Sequence, residues 1–321
     1  MLPFRWVGKT VTYISLVRPA LLVLAPLGIG IAARRLKLLK PAFRIVYLLV
    51  LWAVLPALVF GVIAIERPFG IFTLSSAAIL ACIGLGATSA LSVMITHLVG
   101  MNREKSIAVF LNASFMNYTF LGLAVVYAVI GIKGLAAASI YAVAMGVIHL
   151  TVGVALAAGG SKRRIKVRTV ILSILTFPAA FALIVAFLFV GFDAAIPHWE
   201  QAQEAVSTFV TPAVILMTLT AGYQMPLVDP RKYLSSIVTV GTIRLAICPL
   251  VTYMAMILLG FTEEVGHSAL LLSCMPPGIF NIILAERFGL DLKLYGASIF
   301  YLTVVSLFIV IPLLVFLGVL P

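Results

Sequence analysis

Acidic side chains are scarce in this chain. There are ten among 321 residues: Glu66, Glu104, Asp193, Glu200, Glu204, Asp229, Glu263, Glu264, Glu286 and Asp291. All fall in loops or at the ends of apolar runs, so carboxylate pairs for acid–base catalysis and the intramembrane carboxylates of proton-coupled exchangers are lacking. Cysteine is equally sparse. Cys82, Cys248 and Cys274 lie in apolar runs without a CxxC, which excludes a disulfide framework and leaves small packing residues. The histidines His97, His149, His198 and His267 are too dispersed along the chain for a metal centre. No nucleophile stands beside a base, so the chain is not expected to be an enzyme and no cofactor is expected. Charged residues make up 10% of the sequence, against about 25% in soluble domains. That is too little polar surface to cover a globule in water, whereas a bilayer accepts apolar surface.

What is present is apolar sequence, with a mean hydropathy of +1.22. A hydrocarbon core about 30 Å thick is crossed by about 20 apolar residues. Such runs occur near 11–33, 43–65, 70–98, 107–130, 132–157, 169–192, 205–225, 234–260, 264–287 and 292–319. An all-α integral membrane protein of ten transmembrane helices is therefore expected. The first run is too long for the core of a cleavable signal peptide.

The net charge of +12 lies between these runs, so it reports topology rather than a nucleic-acid partner. With the amino terminus outside, Arg34, Arg35, Lys37, Lys40 and Arg44 fall in the first cytoplasmic loop. Arg103 and Lys105 follow, then Lys162, Arg163, Arg164, Lys166 and Arg168, Arg231 and Lys232, and Arg287 and Lys293. Those sixteen outnumber Arg5, Lys9, Arg18, Arg67 and Lys133 on the other side. A multi-pass protein of the plasma membrane with both termini away from the cytoplasm is expected.

The basic hinge GGSKRRIKVR (159–168) separates residues 1–158 from 169–321, five runs on each side. Halves with an odd number of spans enter the membrane from opposite sides, the arithmetic of two inverted five-helix repeats. Run four carries Asn112, Ser114, Asn117 and Gly122; run nine, in the matching position, carries Pro276, Pro277, Gly278 and Asn281. Proline removes a backbone donor and collides with the preceding turn, so Pro-Pro-Gly should unwind the helix. Unwound backbone at membrane depth is tolerated where it is buried or lines a cavity. Half-helices starting there aim positive amino ends at the midplane, and asparagine amides donate to a carboxylate. The alternative is ordinary kinks with asparagines as interhelical hydrogen-bond partners.

Two further groups stand inside runs. Arg244, roughly 15 Å into run eight, reads either as a counter-charge for substrate or as a cap for carbonyls freed near Pro249. His149 in run five either meets substrate or makes one interhelical hydrogen bond.

With these residues in view, the chain resembles the auxin efflux carrier (AEC) family, the PIN-like and bacterial carboxylate permease transporters. LVLAPLGIGIAARRLKLL (22–39) is similar to that family's first span and basic turn. NYTFLGLAVVYAVIG (117–131), IRLAICPL (243–250) and MPPGIFNIILAERFGLD (275–291) resemble its patterns for spans four, eight and nine. The resemblance implies broken spans four and nine crossing at Asn117 and at Pro276–Gly278. It further implies a scaffold of spans one, two, six and seven that also forms a homodimer contact, and a mobile domain moving elevator-fashion. Ala124 stands where the family usually has proline, and Asn281 where PIN proteins commonly do.

Together these readings predict a secondary transporter of a small organic anion, a carboxylate. The candidate substrate-binding residues are Asn112, Asn117, Pro276, Pro277, Gly278, Asn281, Arg244 and His149. Membrane potential, or Na⁺ bound to unwound carbonyls, would drive it. The rival readings are a Na⁺-coupled symporter of the bile acid carrier type and a membrane receptor without transport.

Overall fold

The computed structural model describes residues 13–66, 71–160, 177–192, 196, 198–261 and 264–320. The basic hinge from 161 to 168, and residues 169–176 of the sixth run, lie outside them, as do Arg5, Lys9 and Arg67.

The described chain forms twelve continuous helical stretches. They are α1 Tyr13–Ala33, α2 Lys40–Ile65, α3 Ile71–Leu98, α4 Arg103–Ser114, α5 Tyr118–Ile130 and α6 Ile132–Gly159. After the hinge come α7 Pro178–Gly191, α8 Trp199–Gln224, α9 Arg231–Leu258, α10 Glu264–Ser273, α11 Phe280–Phe288 and α12 Leu292–Phe316. Their ends follow from local chemistry. Asn102 caps α4 by accepting from Lys105 N–H, and Asp291 caps α12 by accepting from Lys293 and Leu294 N–H. Gly131, at φ 91°, lets the chain turn between α5 and α6, and Gly289, at φ 66°, ends α11.

Six of these helices are long and apolar enough to cross a membrane: α2, α3 (over Ser75–Leu98), α6, α8, α9 and α12. The expectation of ten transmembrane helices in two inverted five-helix repeats is thereby corrected. Its physical error is that an apolar run records where hydrophobic side chains lie, not whether the backbone stays helical through them. Run 107–130 holds two helices, Arg103–Ser114 and Tyr118–Ile130, separated at 115–117. Run 264–287 holds Glu264–Ser273 and Phe280–Phe288, of 10 and 9 residues. Neither half reaches the length a bilayer demands. In α1 and α7 the apolar stretches among the described residues, Leu21–Ala33 and Pro178–Gly191, are also shorter than a span.

Two groups of helices pack among themselves. In the first, α1 runs along α8, while α7 and α8 lie against the Leu55–Ile65 half of α2. The α1–α8 approach is backbone to backbone: a Cβ on Gly222 would stand 2.1 Å from the Leu27 carbonyl oxygen, and one on Gly30 2.2 Å from that of Leu219. Small residues thus let two helices touch where apolar burial offers little drive. In the second group α3 packs against α4, α6, α9 and α10, and the start of α9 packs against α12 and α4. Phe181, Leu258 and Phe316 are among the large apolar side chains left on the outer surface, as a lipid-facing protein requires. Cys82 is also exposed there, whereas Cys248 and Cys274 are buried.

Candidate functional site at two paired helix breaks

The two interruptions meet. Met116 and Pro277 form an isolated antiparallel pair, the one strand-like contact among the described residues. Asn117 N–H donates to the Pro276 carbonyl at 2.7 Å, and Gly278 N–H donates to the Phe115 carbonyl at 2.9 Å. Gly278 is required by this approach, because a Cβ there would lie 2.8 Å from the Met116 carbonyl oxygen.

Buried backbone groups must find partners, and the freed carbonyls here are met by side chains from elsewhere in the fold. Arg244 is fully buried, and its Nη1 donates to the carbonyls of Ala113 and Ser114 at 3.1 and 3.3 Å. Its Nη2 donates to the Ser273 carbonyl at 3.0 Å and touches Cys248 Sγ. Ser306 Oγ donates to the Cys274 carbonyl at 2.7 Å. Asn281 Nδ2 reaches the carbonyls of Leu111 and Phe115, both at 3.1 Å, and Asn112 Oδ1 at 3.2 Å. His149, Arg244 and Ser306 each sit on a π-helical turn (His149–Gly153, Thr242–Ile247 and Ser306–Val310). The widened turn shifts the register of each long helix where it faces the breaks, a placement common at functional sites.

This network assigns the His149 tautomer. Asn281 Nδ2 faces carbonyls, so Oδ1 is the atom 2.8 Å from His149 Nε2. An amide oxygen only accepts, so Nε2 carries the hydrogen, and Nδ1 accepts from the Tyr118 hydroxyl at 3.3 Å. The ring also stacks on Phe115 at 4.1 Å between centroids and meets Phe280 edge-on. His149 therefore joins α6 to both breaks.

The crossover is electrically polarised. α4 and α10 arrive with their carboxyl ends, which face Arg244. α5 and α11 depart with their amino ends, and these border a cavity of about 150 Å³. Met116, Asn117, Tyr118, Gly278 and Phe280 form its wall on the break side. Opposite stand Tyr47, Trp52 and Leu55 of α2, Phe177 and Pro178 at the start of α7, and Gln224 at the end of α8. Asn117 Oδ1 accepts from Leu121 N–H, which fixes the amide so that Nδ2 is the remaining group. Asn117 Nδ2 and Gln224 Nε2 are both buried without a hydrogen-bond partner. A second space of about 500 Å³ shares Gln224, Ile279 and Ile283 with the first and carries Arg34, Lys40 and Glu286.

Of the eight residues singled out in the sequence, Asn117 and Gly278 line the cavity. Pro276 and Pro277 form the paired break behind it. Asn112, Asn281, His149 and Arg244 are buried around the break and absent from the cavity wall. Arg244 caps carbonyls of α4 and α10 rather than any freed near Pro249. Gln224 and the aromatic wall are not among the residues the sequence points to, although Tyr47, Leu51 and Leu55 follow the spacing of one helix face. No group of three or more His, Cys, Asp or Glu that could hold a metal occurs among the described residues.

Long apolar helices, short half-helices meeting inside the fold and a lipid-facing exterior define a multi-spanning helical membrane protein. Residues 16–315 match the family described as membrane transport protein, and the chain belongs to that family. A comparison with curated proteins found no match.

Proposed function

We propose that this protein is a secondary transporter of the auxin efflux carrier type, which binds the carboxylate of a small organic acid in the cavity beside the crossover. One observation carries the proposal: the unpartnered amide donors of Asn117 and Gln224 both border the space at the amino ends of α5 and α11. Buried donors left unmade are costly, by about 1–3 kcal/mol each. A carboxylate would satisfy both, in the field of helix amino ends that favours an anion. No acidic side chain among the described residues lines the cavity. The aromatic walls suit an apolar body, and a space of this volume holds a molecule about the size of benzene.

The cavity also lies where the two packing groups face one another. One wall comes from α2, α7 and α8, the other from the breaks and from Leu150 of α6. Sliding of the second group against the first, an elevator-like alternating access, would carry the bound acid from one side to the other. In this reading Arg34 and Lys40 draw anions toward the inner cavity from the cytoplasm. The protein sits in the plasma membrane with both termini outside. An amino-terminal tag shielded from antibody in intact cells would overturn that orientation.

The test of the substrate class uses purified protein in sealed liposomes, a panel of labelled mono- and dicarboxylates, and imposed Na⁺ or voltage gradients. Electrogenic uptake of an acid without Na⁺ is expected. No flux of any acid refutes the substrate class, and tight binding without flux selects a receptor.

A further inference from the structure

The carbonyls of Ala113, Ser114 and Ser273 converge from two helix ends on one point inside the protein. Carbonyl oxygens gathered in this way are the ligand set that hard cations take. Each helix carboxyl end carries roughly half a negative charge, so the two together present about one. Arg244 brings one positive charge to that point. It is fully buried; its hydrogen bonds among the described residues run from Nη1 and Nη2 to these carbonyls and Cys248 Sγ, and Nε has no partner there. A buried charge without a carboxylate partner is unfavourable unless fixed dipoles replace the lost water. Here charge and dipoles are about equal in size and opposite in sign.

We propose that the Arg244 guanidinium is a resident cation. It fills the carbonyl cluster that a coupling ion such as Na⁺ would otherwise occupy, holds the carboxyl ends of α4 and α10 together, and makes the protein independent of a cation gradient. Arg244 acts on the substrate only through the breaks it holds, as a positioning residue. The coupling consequence rests on the transport reading above; the occupancy of the carbonyl cluster does not.

Thermal unfolding of purified protein tests the occupancy without knowledge of the substrate. The wild type should unfold at the same temperature in Na⁺ as in choline. Arg244→Ala should unfold at a lower temperature and be restored selectively by millimolar methylguanidinium or Na⁺, not by choline. Selective stabilisation of the wild type by Na⁺ overturns the proposal, as does an Arg244→Ala protein that is as stable as wild type without added cation. Should Arg244→Ala fail to fold, Arg244→Lys keeps the charge and replaces the fork of donors. It should fold, and a lysine variant stabilised by Na⁺ as a vacant site would be counts against a filled cluster. In liposomes, Arg244→Ala should lose most of its flux, with methylguanidinium restoring at least part of it. No flux in the wild type would fault the substrate reading and leave the unfolding data to judge Arg244.

Discussion

Replacing Asn281 by alanine should destabilise the protein more than any other single asparagine change at the crossover. Its amide nitrogen serves Leu111 O, Phe115 O and Asn112 Oδ1, and its oxygen takes the His149 Nε2 hydrogen. An amide has two N–H groups, so the four contacts amount to about three full hydrogen bonds. At about 0.6 kcal/mol each, the average between membrane helices, their loss costs roughly 2 kcal/mol. Leaving a buried imidazole N–H unpaired raises this toward about 4 kcal/mol. Asn112 holds one of those contacts and its own Nδ2 is unpartnered, so Asn112→Ala should cost about 1 kcal/mol or less. Thermal unfolding in detergent, followed by intrinsic fluorescence, measures both. Asn281→Ala should lower the Tm by roughly 4–16 °C at about 2–4 °C per kcal/mol, and Asn112→Ala by a few degrees at most. Equal shifts, or a larger one for Asn112→Ala, would refute the assigned network.

Three other outcomes follow from the packing. Gly278→Ala places a Cβ 2.8 Å from the Met116 carbonyl oxygen, so the paired breaks must separate, at about 1–3 kcal/mol. Gly86→Ala, which meets nothing within 4 Å, should be neutral or slightly stabilising; similar Tm losses for the two would contradict the close approach. Gly222→Ala drives a Cβ against the Leu27 carbonyl and should loosen α1 from α8, visible as faster hydrogen exchange in both; unchanged exchange would speak against it. At the loop end of α2, burial raises the Glu66 carboxyl above its ordinary value, with Lys133 opposing and Glu264 adding to the rise. A raised folded value means that stability is greatest with Glu66 protonated and is lost as pH rises through that value. Glu66→Gln should therefore stabilise the protein at neutral pH and make no difference in acid, and a pH-independent effect would contradict this.

Much of this site could be read from residue chemistry, and the limits were physical. A single proline can stay within a helix, as Pro212 does in α8, whereas the interruption in the second half follows from two adjacent rings, Pro276 and Pro277, and a glycine. The break in the first half has no proline; Asn117 makes it by capping α5, accepting from Leu121 N–H. The number of spans was not legible, because hydropathy is blind to backbone direction and counted two pairs of short helices as two long ones. Nor were the pairings of His149 with Asn281 and of Arg244 with Ala113, about 130 residues apart along the chain. An isolated charge in an apolar run marks an important position without saying whether its partner is a ligand or the fold. Gln224 escaped notice for the opposite reason: a polar residue at the end of an apolar run looks like a boundary. Only the folded chain brings it to the cavity that Asn117 also lines.

The measurement that bears most directly on the central claim is uptake of a labelled carboxylate by liposomes carrying wild type, Asn117→Ser or Gln224→Leu protein. Serine keeps an acceptor for Leu121 N–H but has no amide donor, so it separates substrate binding from the helix cap. A hydrogen bond to a charged group contributes about 1.5–3 kcal/mol, so each variant should raise KM roughly 10- to 100-fold with little change in Tm. Uptake with wild-type KM in both variants would show that the carboxylate is not held by these two amides.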